Sequence, residues 1–265
     1  MLGKLLKYET KATARIFLPL YGALVLLAVI NRFFMAIRPE GHSNLAFSMT
    51  LGTTAPVYGI LIFAIFILTF FVMIQRFYKN LLGDEGYLMF TLPVQPWKHI
   101  VSKMVVSALW MVASVIVTMI TVFIMALDWE DLRMFAEIPR ALAVLYQQMG
   151  VHGYLYILEF CALCAAGLAM GILNIYFSIS VGQLFNKHRV LAAFGAFIAT
   201  DIVTNIITTI GIWLIGHVLD GMPIQMGPVA ASHLILCTLI LYCLFYGAAY
   251  FVGTNYILSR RLNLE

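Results

Sequence analysis

The chain has 265 residues, 63% of them apolar and only 11% charged. Soluble domains carry about 25% charged residues, so this composition cannot coat a water-facing globule and indicates a membrane protein. At roughly 20 apolar residues per helical crossing, the hydrophobic runs use so much of the chain that a large extramembrane catalytic domain is excluded. The net charge is +4, and in a bilayer protein the placement of the basic residues matters more than their sum.

Residues 1–14 intersperse Leu2, Leu5, Leu6 and Tyr8 with Lys4, Lys7 and Lys11. Apolar residues on one face and lysines on the other predict a short amphipathic helix lying in the cytoplasmic headgroup layer, in contact with membrane lipid. The first long apolar run begins near Ile16 and has no small-x-small cleavage site after it, so it reads as a span rather than a cleaved signal. Six runs are long enough to cross: 16–37, 57–77, 100–127, 154–182, 190–218 and 230–258. They are continuous and lack the two-residue alternation of barrel strands. The expected fold is therefore all-α, with six transmembrane helices preceded by the interfacial helix, in one transmembrane domain covering 1–265.

Lys and Arg set the orientation, because cytoplasmic loops retain positive charge. Twelve of the sixteen basic residues fall on one side if the N-terminus, the 76–103 connection, the 183–189 turn and the C-terminal tail share it. Both termini are expected in the cytoplasm and the protein in the cell membrane. On the outer side, residues 128–153 place Trp129, Leu132, Phe135, Leu142 and Leu145 near helical spacing, after an acidic start. That segment is expected to pack across the outer mouth. Residues 219–229, with two prolines and two glycines, are expected to dip back into the protein.

Reaction machinery is missing from the sequence. There is no phosphate loop, no Gly-x-Ser-x-Gly elbow and no His-Glu-x-x-His pair. The six histidines include no pair at ligand spacing within one helix, so no metal site is expected. Cys161-x-x-Cys164 sits inside an apolar run without a βαβ pattern and reads as packing, as do Cys237 and Cys243. Neither catalytic residues nor nucleic-acid binding are expected.

The cytoplasmic segment 78–98 between the second and third spans is unusual. It is too long for a tight turn, carries both charge signs, and holds Leu81, Leu82, Tyr87, Leu88, Met89, Phe90 and Leu92, more apolar surface than a solvated loop shows. Pro93 stops any helix, and Pro96, Trp97 and Lys98 anchor the next span at the interface. Such a segment suits a cytoplasmic protein partner.

The order acidic residue, Gly86, aromatic, Leu88, then Thr91-Leu92-Pro93 and a later Lys103 resembles the loop of ABC-2-type transporter permeases, the type V exporter-like group. It departs from that pattern in having Tyr87 where Thr is usual and Gly83-Asp84-Glu85 in place of a more basic acidic run. The resemblance implies a permease that dimerises, with itself or a related permease, and binds two copies of a separate ATPase subunit. Any ATP and Mg would sit on that subunit, with no cofactor on this chain. It further implies that Asp84, Glu85, Gly86, Tyr87, Leu88 and Phe90 form the ATPase-coupling element. The implied activity is export of amphipathic or hydrophobic cargo, with peptides preferred.

Within the runs, Asp201, Asn205 and Thr208 are spaced i, i+4, i+7, and Thr204 and Thr209 widen them into a polar stripe. A charge at bilayer centre costs at least about 2.5–3.5 kcal/mol, so Asp201 is expected to face protein or water. Either the stripe and Glu159 line a translocation path at the dimer interface, or Asp201 bonds another helix, with Asn174 as a partner. Gly167-x-x-x-Gly171 is expected to mark close helix packing. The alternative to an ATP-driven exporter is a proton- or ion-coupled carrier using Asp201 and Glu159 as relay carboxylates.

Overall fold

The computed structural model describes residues 2–36, 45–82, 95–126, 150–185, 187–220 and 227–260, with a few positions between 137 and 147. The described residues contain six long helices and no strand. These are α1 (Leu2–Ala36), α2 (Leu45–Phe77, followed by a π-helical turn over Tyr78–Leu82), α3 (Pro96–Ala126), α4 (Val151–Gly182), α5 (Arg189–Asp220) and α6 (Pro228–Arg260). All six are long and apolar enough to cross a membrane. The chain is a multi-pass, all-helical membrane protein.

Each apolar run falls within one helix to within a residue at its end, and every helix is longer than its run. The largest difference is in α1, which continues unbroken from Leu2 to Ala36. The separate interfacial helix expected over 1–14 is replaced by the first turns of a rod about 52 Å long at 1.5 Å per residue. Two features account for this. No helix breaker separates Lys11 from Ile16, and Glu9 and Thr13 have partners on other helices that hold these turns in a bundle. Pro19 lies within α1 and Pro56 within α2 without ending either, as membrane helices allow.

The chain forms two compact units, Met1–Arg76 with Val101–Ala141, and Phe77–Ile100 with Leu142–Glu265. In the first unit, side-chain contacts fix helix directions. Thr13 meets Trp110 and Tyr21 meets Ser114, so α1 and α3 run parallel; Thr69 meets Ser114 and Tyr58 meets Thr121, so α2 runs antiparallel to α3. Phe17 stacks on Trp110 at 4.6 Å between centroids, and Leu24, Ala28, Ile65, Val72 and Val106 complete a buried core.

In the second unit, Gly182 meets Ala193 and Asn174 meets Thr200, so α4 and α5 are antiparallel; Tyr156 meets Ser232 and Phe177 meets Gly253, so α4 and α6 are parallel, and Thr204 joins α5 to Tyr250 of α6. The α4–α5 turn is tight because Gly182 permits it. A Cβ there would lie 2.6 Å from Ala193 Cβ and 2.7 Å from Ala193 N. His188 closes the turn in the left-handed region with φ 59°, and its carbonyl accepts the Ala192 N–H. Phe77 stacks on Tyr176 at 3.9 Å with planes 9° apart, and Leu81 and Ile100 are buried. Most of 128–153, expected to pack across the outer mouth, and of 219–229, expected to dip back into the protein, lies outside the described residues.

Candidate functional site

Polar groups inside apolar helices are the natural place to look for function, because each costs free energy unless it is paired or faces water. Asp84, Glu85, Gly86, Tyr87, Leu88 and Phe90 lie outside the described residues. The residues at the roots of their segment are described. Lys103 Nζ donates to Glu9 Oε1 at 2.7 Å, and Arg76 Nη1 stands 3.7 Å from Glu9 Oε2. The Lys103 side chain is 3% exposed and that of Glu9 12%. One carboxylate near the start of α1 thus ties the end of α2 to the beginning of α3, on either side of the segment that resembles a coupling loop.

Above this cluster, Trp110 Nε1 donates to Thr13 Oγ1 at 2.7 Å, and the Tyr21, Ser114 and Thr69 hydroxyls form a buried chain with steps of 2.7 and 2.9 Å. A cavity of about 20 Å³, lined by Glu9, Thr13, Thr69, Arg76, Lys103 and Trp110 among others, has room for a single water. The polar ladder is satisfied residue by residue and therefore reads as specificity in helix packing.

The predicted stripe on α5 divides. Thr204 is buried and shares a 2.7 Å hydrogen bond with Tyr250 Oη, and Thr208 Oγ1 donates to the Thr204 carbonyl. Asp201 and Asn205 are exposed on the outside of the unit, where Asn205 Nδ2 donates to the Asp201 carbonyl oxygen at 2.8 Å. Asn174 does not reach Asp201. Its Oδ1 accepts from Thr200 Oγ1 at 2.9 Å, one residue earlier on α5. Among the described residues no hydrogen bond reaches the Asp201 carboxylate, which stands among the exposed Ile198, Ile202, Val203 and Ile206.

Glu159 belongs elsewhere. Both of its carboxylate oxygens lie 2.9 Å from His233 Nδ1 on α6, and His233 Nε2 lies 3.1 Å from His152 Nδ1. Tyr156 stacks on the His233 ring at 4.3 Å, 8° from parallel, and its hydroxyl meets Ser232 Oγ. Since Thr200 is level with Asn174, Asp201 is fifteen residues along α4 from Glu159, about 22 Å at 1.5 Å per residue. The two carboxylates do not form one site. The histidine pair has no spacing signature in the sequence, because its members stand on separate helices eighty-one residues apart. The available signal was that His152 and His233 each fall near the start of a span entering from the same side.

Gly167 and Gly171, expected to mark close packing, have no atom within 4 Å of a Cβ built on either. The close approaches in this unit are at Gly182, against Ala193, and at Gly253, against the Phe177 ring. α4 buries Ile172, Leu173 and Tyr176, while Gly171 is exposed and Gly167 half-buried.

Among the described residues no three or more His, Cys, Asp or Glu side chains are grouped to hold a metal ion. Compared with known proteins, the chain matches no family model, no curated protein and no solved structure.

Proposed function

We propose that this chain is the membrane-spanning subunit of an ATP-driven exporter of the ABC-2 type, dimerising and coupled through residues 84–90 to a separate ATPase. The observation that carries the reading is the cytoplasmic segment itself: Asp84-Glu85-Gly86-Tyr87-Leu88 followed by Thr91-Leu92-Pro93, in a chain that has six apolar helices and no phosphate loop. A body without a nucleotide site does ATP-driven work only through a partner, and a charged, apolar cytoplasmic knob is the surface such a partner grips.

The Glu9–Lys103–Arg76 cluster supports the assignment physically. A coupling segment transmits force only if its two roots resist displacement, and Arg76 and Lys103, one at each root, share a single largely buried carboxylate. Asp201 and Asn205, outward-facing in an apolar helix, suit either the route of an amphipathic cargo or a facing permease, since exposure to lipid is costly. The test is ATP hydrolysis by the permease reconstituted with its ATPase. Replacing Glu85 and Tyr87 together with Ala should leave the protein inserted and abolish most of the stimulation that the permease gives; unchanged stimulation contradicts coupling through this segment.

The carrier reading is weaker because the two carboxylates it requires as a relay are about 22 Å apart along the helices.

A further inference from the structure

Glu159, expected on the translocation path, pairs instead with His233 beside His152, and that arrangement carries a separate inference. His233 presents its Nδ1 edge to both oxygens of Glu159 at 2.9 Å. A carboxylate there accepts the Nδ1–H and leaves the lone pair on Nε2, which points away from Glu159 toward His152. His152 Nδ1 comes within 3.1 Å of that nitrogen. Two imidazole nitrogens bound to one tetrahedral ion at 2.0–2.1 Å stand about 3.3 Å apart. The observed 3.1 Å is close to that separation, and the exposed His152 ring is free to adjust.

The surroundings are those of a supported ligand pair. The carboxylate behind His233 is the outer-sphere partner that metal-binding histidines usually have, and it fixes both the tautomer and the ring plane. Tyr156, stacked flat on His233 and hydrogen-bonded to Ser232, prevents the ring from turning. His152 is the second residue of α4 and His233 the sixth of α6, so the pair lies at the end where two parallel helices begin, within reach of solvent.

We propose that His152 and His233 bind a first-row divalent cation of the zinc, nickel or copper class, with Glu159 holding His233 from behind. Imidazole donors select this class over calcium and magnesium. The described residues offer no third His, Cys, Asp or Glu ligand, so water would complete the coordination. Binding takes the lone pair of His152 Nδ1, with any proton of the neutral ring carried on Nε2. Such an ion would join α4 to α6 at their common end.

The test is zinc titration of the full, tag-free chain in detergent, followed by calorimetry and by thermal unfolding. One zinc per chain and a raised unfolding temperature are expected, with no response to Mg²⁺. His152→Ala and His233→Ala should each abolish both effects, Glu159→Gln should weaken binding about 10- to 100-fold, and His217→Ala should change nothing. Because His152 is exposed, its replacement leaves the fold intact even where the His233 variant does not fold. No zinc response in the unaltered chain, or an undiminished one in His152→Ala, overturns the site and leaves the pair a hydrogen bond.

Discussion

Glu9 serves two cations, Lys103 and Arg76, and the Lys103 ammonium has almost no access to the outside. Removing one partner of such a pair takes the counter-charge from a buried ion, which typically costs about 3–5 kcal/mol, whereas removing both can be neutral. Glu9→Gln should therefore lower the unfolding temperature in detergent markedly, and Glu9→Gln combined with Lys103→Met should recover most of the loss. An additive double variant would show that the contact carries no such energy. Asp201 behaves oppositely. Its carboxylate makes no hydrogen bond among the described residues, so Asp201→Asn should change the chain's own stability by less than about 0.5 kcal/mol, the range of surface substitutions. If the proposed exporter assembly is right, Asp201→Asn should lower export, and full export with the Asn variant would remove Asp201 from the route. Neither residue's partners were readable in the sequence. Asp201 was visible as costly from its depth alone, but Glu9 meets a lysine ninety-four positions on, and no local pattern records that distance.

At the scale of elements, the six runs were legible because about twenty apolar residues in succession have one stable solution in a bilayer, whatever they pack against. The beginning of α1 was not, since an amphipathic stretch reads the same whether its polar face meets headgroups or a neighbouring helix. Two glycine sites separate pattern from packing. Gly167 and Gly171 have the spacing of a packing motif but no neighbour within 4 Å, while Gly182, at no special spacing, has Ala193 backbone in the way of any Cβ. Gly171→Ala should leave thermal stability in detergent unchanged or slightly raised, and Gly182→Val should force α4 and α5 apart and destabilise the chain by at least about 1–3 kcal/mol. Equal effects of the two substitutions would mean that the register of α4 is wrong. The histidine pair belongs here too: its members come from separate helices, and only the parallel course of α4 and α6 brings them level.

For the whole molecule, the two compact units exchange the chain at 76/77 and 100/101, so the segment resembling a coupling loop is flanked on both sides by a passage from one unit to the other. A motor acting on that segment would pull on residues belonging to both. The sequence could suggest this segment through its composition and motif, but not how its roots are held, because the carboxylate that holds them belongs to α1, ninety-four positions before Lys103. The distribution of basic residues predicts that both ends of the chain face the cytoplasm. Reporter fusions at Met1 and Glu265 should both report that side, and opposite answers would require an odd number of crossings. The most direct measurement is solute movement in sealed vesicles containing the purified chain, with and without a Walker-motif ATPase encoded beside it. Efflux is expected only when the ATPase and ATP are both present and is lost in the Glu85→Ala, Tyr87→Ala variant; efflux by the chain alone under a proton gradient would contradict the exporter reading.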